Sequence, residues 1–266
     1  MDYTTRYGLA FDPFVKNSRE SIIEYGDFVE ATTRLNYLKQ IKGFGVITGN
    51  PGTGKTTVVR KWANSLNPSL YNVIYTSLAS VSDREFYLNL AMKMSIEPQY
   101  SKCRNIRLIK NEIERLNAES RKTPVFIFDE AGQIRGSILE DLKILFNFEM
   151  DSRDKAIVLL LGLPRLNYSL SLNTHEAIKQ RIVMNYTLEG LNKTETRSYI
   201  ETKLKVAGCT QPVFTPEAME AIVNSSNGTP RVINKLCTTC LNIGNLKEAP
   251  AITPDIVMIA TSDLTL

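Results

Sequence analysis

Cysteine and histidine are both scarce in this sequence. Four cysteines (Cys103, Cys209, Cys237 and Cys240) in a chain of 266 residues do not make a disulfide scaffold. Cys237 and Cys240 form one C-x-x-C, which raises a metal or redox reading. No second pair exists, however, and the single histidine, His175, is remote. The pair falls in "RVINKLCTTCLNIG", whose apolar spacing is helical, so both cysteines read as core residues of a helix face. Long apolar runs are missing too. The strongest, "AIVLLLGL" from Ala156, is far too short to span a bilayer and reads as a buried strand. The start, "MDYTTRYGL", lacks the basic and apolar regions of a signal peptide, so a cytoplasmic location without membrane contact is expected. Internal repeats and low-complexity tracts are absent as well.

What remains is an ordinary globular composition, 43% hydrophobic, with room for one α/β core and a small appendage. The net charge of +4 is unevenly placed. From Leu191 onward seven basic residues balance seven acidic ones, so the whole excess lies earlier. Lys102 to Lys122 holds seven cations (Lys102, Arg104, Arg107, Lys110, Arg115, Arg121, Lys122) against Glu112, Glu114 and Glu119. Such a cluster is either a solvated helix face, as "NEIERLNAE" suggests, or a phosphate-contacting surface, as the acid-free "SKCRNIRLIK" suggests.

The most informative stretch is "VITGNPGTGKTTVVR", Val46 to Arg60. Gly49, Gly54, Lys55 and Thr56 fit G-x-x-x-x-G-K-[ST]. Glycines let consecutive N–H groups curl into an anion nest, and a helix starting near Gly54 aims its positive end at the same point. Gly49, Asn50, Pro51, Gly52, Thr53, Gly54, Lys55, Thr56 and Thr57 are therefore the candidate nucleotide cradle. Lys55 would reach the β- and γ-phosphates, and the Thr56 hydroxyl would ligate Mg²⁺. "TPVFIFDEAG" supplies the acidic partner: a short buried strand, Val125 to Phe128, ends in Asp129 and Glu130. We expect this strand to lie adjacent and parallel to the strand before Gly49, so that both end at one rim. Asp129 would hold Mg²⁺ through water, and Glu130 would orient and deprotonate the attacking water.

Strands and helices alternate up to Gly190, which predicts a parallel three-layer αβα sandwich. "YNVIYTSLAS", Tyr71 to Ser80, reads as the second strand, "KAIVLLLGLP" as a further one, and "EAIKQRIVMNYTLEG" as a helix running into a last short strand. After Leu191 no strand is evident, and three helices are expected in "NKTETRSYIETKLKVAG", "TPEAMEAIVNSSNG" and "TPRVINKLCTTCLNIG". The expected organisation is an irregular arm over residues 1–27, a nucleotide-binding domain over 28–190 and an all-helical lid over 191–266.

Six segments in order, "YGLAFDPF", "GFGVITGNPGTGKTT", "VFIFDEAGQI", "LLLGLPRL", "QRIVMNYTLEGL" and "NGTPRVINKLC", span nearly the whole chain. Together they resemble the AAA+ ATPases, and within them the ExeA-like group that includes transposition regulators of the TnsC/TniB type. The resemblance implies ATP bound at a subunit interface, a helical lid, and assembly into rings or helical filaments. It implies that Arg231 in "GTPR" is the lid arginine touching the γ-phosphate of its own subunit. Arg181 in "QRI" would be the finger reaching a neighbour's ATP, with Arg153 and Arg165 as rivals. Arginine's permanent forked cation suits both roles. One departure stands out: where many AAA+ proteins place a polar water-positioning residue, this chain reads Gly162, Leu163, Pro164, with Asn167 a few residues on. Slow turnover is therefore expected.

The function implied is an ATP-dependent, duplex-DNA-binding regulator of transposition that recruits a transposase and dissolves on hydrolysis. Its DNA contacts would fall on Lys102, Arg104 and Arg107 and carry no sequence information. Alternatives are a replication initiator or loader, for which the tail after Leu191 leaves no winged helix, and a secretion ATPase, for which no membrane span or wall-binding module is evident. A module that binds ATP without cleaving it is a further alternative. Phe11 and Phe14 of the arm either pack near the adenine or pin the terminus to the core.

Overall fold

The computed structural model describes residues 2–15, 23–77 and 82–264. Along the chain run α1 (Tyr3–Arg6), α2 (Gly26–Ile41), β1 (Gly43–Gly49), α3 (Lys55–Ser65), β2 (Tyr71–Ser77), α4 (Asp83–Lys93) and α5 (Lys102–Ala118). There follow β3 (Thr123–Asp129), α6 (Gly136–Leu145), β4 (Ile157–Gly162), α7 (Arg165–Ser171), α8 (Glu176–Lys179) and β5 (Ile182–Leu188). The last four are α9 (Lys193–Val206), α10 (Pro216–Ser226), α11 (Pro230–Leu246) and α12 (Pro254–Leu264). Two compact units emerge: Glu30–Pro51 with Lys55–Leu188, and Met1–Val29 with Gly52–Gly54 and Glu189–Leu266.

The first unit is built on a five-stranded sheet, parallel at every pairing, in the order β2-β3-β4-β1-β5. Its inner strands β1, β3 and β4 read as near-continuous apolar runs because helices cover both faces, as parallel crossovers require, while the edge strands β2 and β5 are partly exposed. All seven positions of β1 and all six of β4 are buried. Phe44, Phe126 and Phe146 meet edge-to-face at centroid distances of 4.9–5.8 Å, so the core beneath the sheet is set by aromatic geometry as well as area. The expected adjacency of the strand before Gly49 and the acidic strand does not hold: β4 lies between β1 and β3. After β1 the chain crosses to the far edge at β2, steps back through β3, and fills the gap beside β1 with β4. The expected second strand stops at Ser77, and residues 78–80 of that expectation lie outside the described residues.

Helix starts in this unit carry their own signals. Ser82 caps α4 in a reciprocal capping box with Glu85. The buried Asn105 side chain exchanges two hydrogen bonds with the backbone of Gln99 at 2.7 and 2.8 Å, fixing the chain as it enters α5.

The second unit is helical. Asn192 and Glu195 form a capping box that starts α9, and Thr215 with Pro216 starts α10. α11 packs against α10 and α12 with Ile233, Leu236, Cys237, Cys240 and Leu241 buried. Burial raises both thiols, Cys240 to about 12, so neither is a ready thiolate. α12 is a fourth helix that the sequence reading did not anticipate, and the arm, expected to be irregular, opens with the single turn α1. The arm is tied down by Ala10 N–H to Ala207 O at 2.7 Å and by Lys203 Nζ to Pro13 O at 2.6 Å. Phe14 is buried with the Lys203 ammonium 5.8 Å from its ring, so in this unit it serves as a pin for the terminus. Among the described residues no helix is long and apolar enough to cross a membrane.

Candidate nucleotide and metal site

In the sheet unit, β1 delivers the chain to Gly49 and α3 takes over at Lys55. The Lys55 ammonium donates to the carbonyls of Gly49 at 2.7 Å and Asn50 at 2.9 Å, so its charge sits over the mouth of the loop. One residue on, Thr56 Oγ1 donates to Asp129 Oδ2 at 2.9 Å. This contact joins residues 73 positions apart, on the first turn of α3 and the last position of β3.

Asp129 is nearly buried at 8% exposure, and each of its oxygens has a donor. Oδ1 accepts the Glu130 amide at 2.9 Å. Oδ2 accepts Thr56 and also the Tyr75 hydroxyl at 3.0 Å. Burial, reinforced by the Asp129 charge, pushes the Tyr75 phenol up to about 12, so it remains a hydrogen-bond donor. Glu130 takes a left-handed backbone, φ 60° and ψ 31°, costing about 1–2 kcal/mol for a side-chain-bearing residue. That turn ends the strand and leaves the Glu130 carboxylate exposed beside a shielded Asp129. Two adjacent acids thus occupy different environments, one held by donors and one open to water.

Thr56 Oγ1 and Asp129 Oδ2 are hard oxygens on opposite sides of a hydrogen-bond length. They could hold Mg²⁺, which takes oxygen donors and keeps part of its water shell. At the foot of the loop a polar chain runs from Thr187 Oγ1 to Thr48 Oγ1 (2.8 Å), from Asn167 Nδ2 to Thr48 Oγ1 (3.0 Å), and from Asn185 Nδ2 to Asn167 Oδ1 (3.1 Å). Asn167 therefore reaches the residue just before Gly49, from α7. The glycine at the end of β4 has a steric cause: a Cβ on Gly162 would stand 2.9 Å from the Leu166 side chain and 3.2 Å from the Gly132 amide nitrogen. A polar side chain at that strand end has no room.

The loop tip, Gly52 to Gly54, belongs to the helical unit. There, Gly52 has φ +87° and its carbonyl accepts the Arg231 amide at 3.3 Å. Gly54 has φ +98°, and a Cβ there would meet the Tyr25 hydroxyl at 2.9 Å. Tyr25 itself is buried and donates to Thr53 O at 2.6 Å. Arg231 is exposed on the first turn of α11. Neither Tyr25 nor Tyr75 was singled out from the sequence. Tyr75 falls inside the expected strand Tyr71 to Ser80, and only the observed strand end at Ser77 puts it two positions from the rim.

The remaining arginines differ in setting. Arg181 is half-buried and donates through Nη1 to Lys143 O at 2.9 Å, in the last turn of α6. Arg153 and Arg165 are both exposed. Among the basic residues of α5, Lys102 bridges Asp141 at 2.5 Å and Asp83 at 3.5 Å, and these acids hold its ammonium above the usual lysine range. Arg104 and Arg107 are exposed.

A loop of this geometry at the rim of a parallel sheet is the part of the chain that a family comparison matches. Residues 39–170 fit the family model described as "AAA domain". The chain carries an AAA domain. Beyond the AAA domain itself, the chain is 32% identical over 244 residues to general secretion pathway protein A of Aeromonas hydrophila. That alignment covers 90% of this chain and 44% of the relative, so the chain spans less than half the length of that protein. Among solved structures, the ORC2 protein of Aeropyrum pernix in ADPNP–ADP complexes superposes with a TM-score of 0.69 at 16% identity, covering 95% of this chain and 71% of that one. Drosophila ORC bound to DNA gives a TM-score of 0.67 at 16% identity, with 95% and 68% coverage. At such identities these two matches show the fold: an AAA P-loop core with a helical C-terminal region, as the alternation of strands and helices implied.

Proposed function

We propose that the chain is a Mg²⁺-dependent ATP hydrolase whose nucleotide state governs self-assembly on duplex DNA, acting as a regulator of transposition that engages a transposase. The observation that carries the hydrolase part is the Thr56–Asp129 hydrogen bond at 2.9 Å with an exposed Glu130 next to it. Bound Mg²⁺ would neutralise phosphate charge and orient the β- and γ-oxygens. Gly49 to Thr57 cradle the phosphates with their amides, and Lys55 supplies a point charge at the γ end. Asp129, held by three donors, takes the cation's waters. Glu130, free of that shell, takes the proton of the attacking water. Arg231 reads the γ-phosphate within the subunit, and Arg181 reaches the neighbour's.

The domain plan that goes with this reading is an arm over 1–27, a catalytic domain over 28–190 and a lid over 191–266. Duplex contact is supported by the exposed Arg104 and Arg107 on α5 and by the DNA-bound state of the Drosophila ORC structure of like fold. Backbone phosphates are the expected contact, with steep salt dependence.

The secretion-pathway relative, at 32% identity, favours a second reading in which the same ATPase cycle drives assembly of a secretion apparatus. Two measurements separate them. Phosphate release, compared between the parent protein and Glu130→Gln, is expected to fall at least a hundredfold in the variant. Duplex binding is expected only with ATP. Equal release from both proteins removes the hydrolase reading, and ATP-independent or absent DNA binding favours the secretion reading.

A further inference from the structure

Three donors converge on the Asp129 carboxylate, and one of them is not part of either nucleotide motif. The Glu130 amide and the Thr56 hydroxyl accompany those motifs, whereas Tyr75 arrives from β2. β2 pairs in register with β3, Tyr75 opposite Ile127 and Ser77 opposite Asp129. A side chain two residues short of the rim needs the length of a tyrosine to reach the last position of the neighbouring strand. Tyr75 as a whole is 43% exposed, so burial of apolar surface does little to retain it, and its hydroxyl makes the specific contact. Phenylalanine would fill the same space without the hydroxyl.

We infer that Tyr75 is a positioning residue that holds the Asp129 carboxylate in its metal-facing orientation and thereby sets the Mg²⁺ affinity of the loop. The inference rests on the Mg²⁺–nucleotide reading given above. A hydroxyl donating to an ionised carboxylate is among the stronger neutral-donor bonds. With Tyr75 and the Glu130 amide anchoring both oxygens, Asp129 keeps one orientation whichever way the Thr56 hydroxyl turns. Partners that orient a metal-ligating group cost about 10–100-fold in metal affinity when removed.

The test uses the whole chain and a fluorescent ADP derivative titrated at a series of Mg²⁺ concentrations, with an EDTA series as the metal-free reference. Tyr75→Phe is expected to raise the Mg²⁺ midpoint about tenfold, at the low end of that range, while the EDTA affinity stays that of the parent. Tyr71→Phe, at the other end of β2, is expected to leave both unchanged. Equal Mg²⁺ midpoints for the parent and Tyr75→Phe overturn the assignment and leave the nucleotide reading standing. A parallel loss of EDTA affinity, or a collapsed melting transition, makes Tyr75 a structural residue and overturns it too. Absence of nucleotide binding by the parent overturns both.

Discussion

The amide of Arg231 donates to the carbonyl of Gly52 at 3.3 Å, and a Cβ built on Gly52 would lie 2.7 Å from the Cβ of Arg231. The phosphate-loop tip and the first turn of α11 are therefore in backbone contact. Gly52→Ala has to fit a methyl group against α11 while holding φ at +87°. It is expected to lower stability by about 1–3 kcal/mol and to weaken nucleotide binding at least tenfold. Thermal melts and an ADP titration measure the two; a variant matching the parent in both contradicts the contact.

Tyr25 closes the other side of the same tip through its bond to Thr53 O at 2.6 Å. Tyr25→Phe keeps the ring and leaves a buried carbonyl without that donor. The expected loss is about 1–2 kcal/mol, read as a shift in denaturant midpoint at unchanged slope. Nucleotide at saturating concentration should recover part of that loss, because ligand binds the folded form alone.

Lys102, Arg104 and Arg107 should separate by experiment. Lys102→Ala strands Asp141 and Asp83 and is expected to cost about 1–2 kcal/mol of stability. Arg104→Ala and Arg107→Ala should stay within about 0.5 kcal/mol of the parent. Each is expected to reduce the slope of log affinity for duplex against log salt by about 0.9. A filter-binding salt series on the three variants checks this, and unchanged slopes for both arginines place the DNA surface elsewhere.

Arg181 caps α6 through Lys143 O at 2.9 Å, and a role in a neighbour's site would have to coexist with that bond. Arg181→Ala is expected to lower the melting temperature by a few degrees, about 1 kcal/mol, while ATP binding persists and hydrolysis falls. Mixing it with Lys55→Ala subunits should restore measurable hydrolysis if the arginine acts in trans. No recovery at any mixing ratio assigns Arg181 to its own α6 alone.

The glycine loop, the acidic strand and the parallel αβα plan were legible because each is written in consecutive residues: an apolar run, a glycine pattern, an acid at a strand end. Tyr75 and Tyr25 were not, because their partners lie 54 and 28 positions away and only strand pairing or packing brings them together. α12 begins with the start signal "TPD", yet its run "IVMIA" is apolar over successive positions and shows no clean helical face. The order of strands also escaped. Nothing in the local sequence of β4 says that it enters the sheet between β1 and β3 rather than at an edge.

That intervening strand has a consequence for how faults spread. Neighbouring strands stand about 4.8 Å apart, so β4 holds the backbones of β1 and β3 roughly 10 Å from each other, like a shim of fixed thickness, and the Thr56 and Asp129 side chains close that gap. Its final residue, Gly162, is hemmed by Leu166 on one flank and Gly132 on the other. Added bulk at this one position would wedge the acidic turn and α7 apart together, so damage there would present as joint loss of cation and phosphate recognition, although Gly162 carries no chemistry of its own.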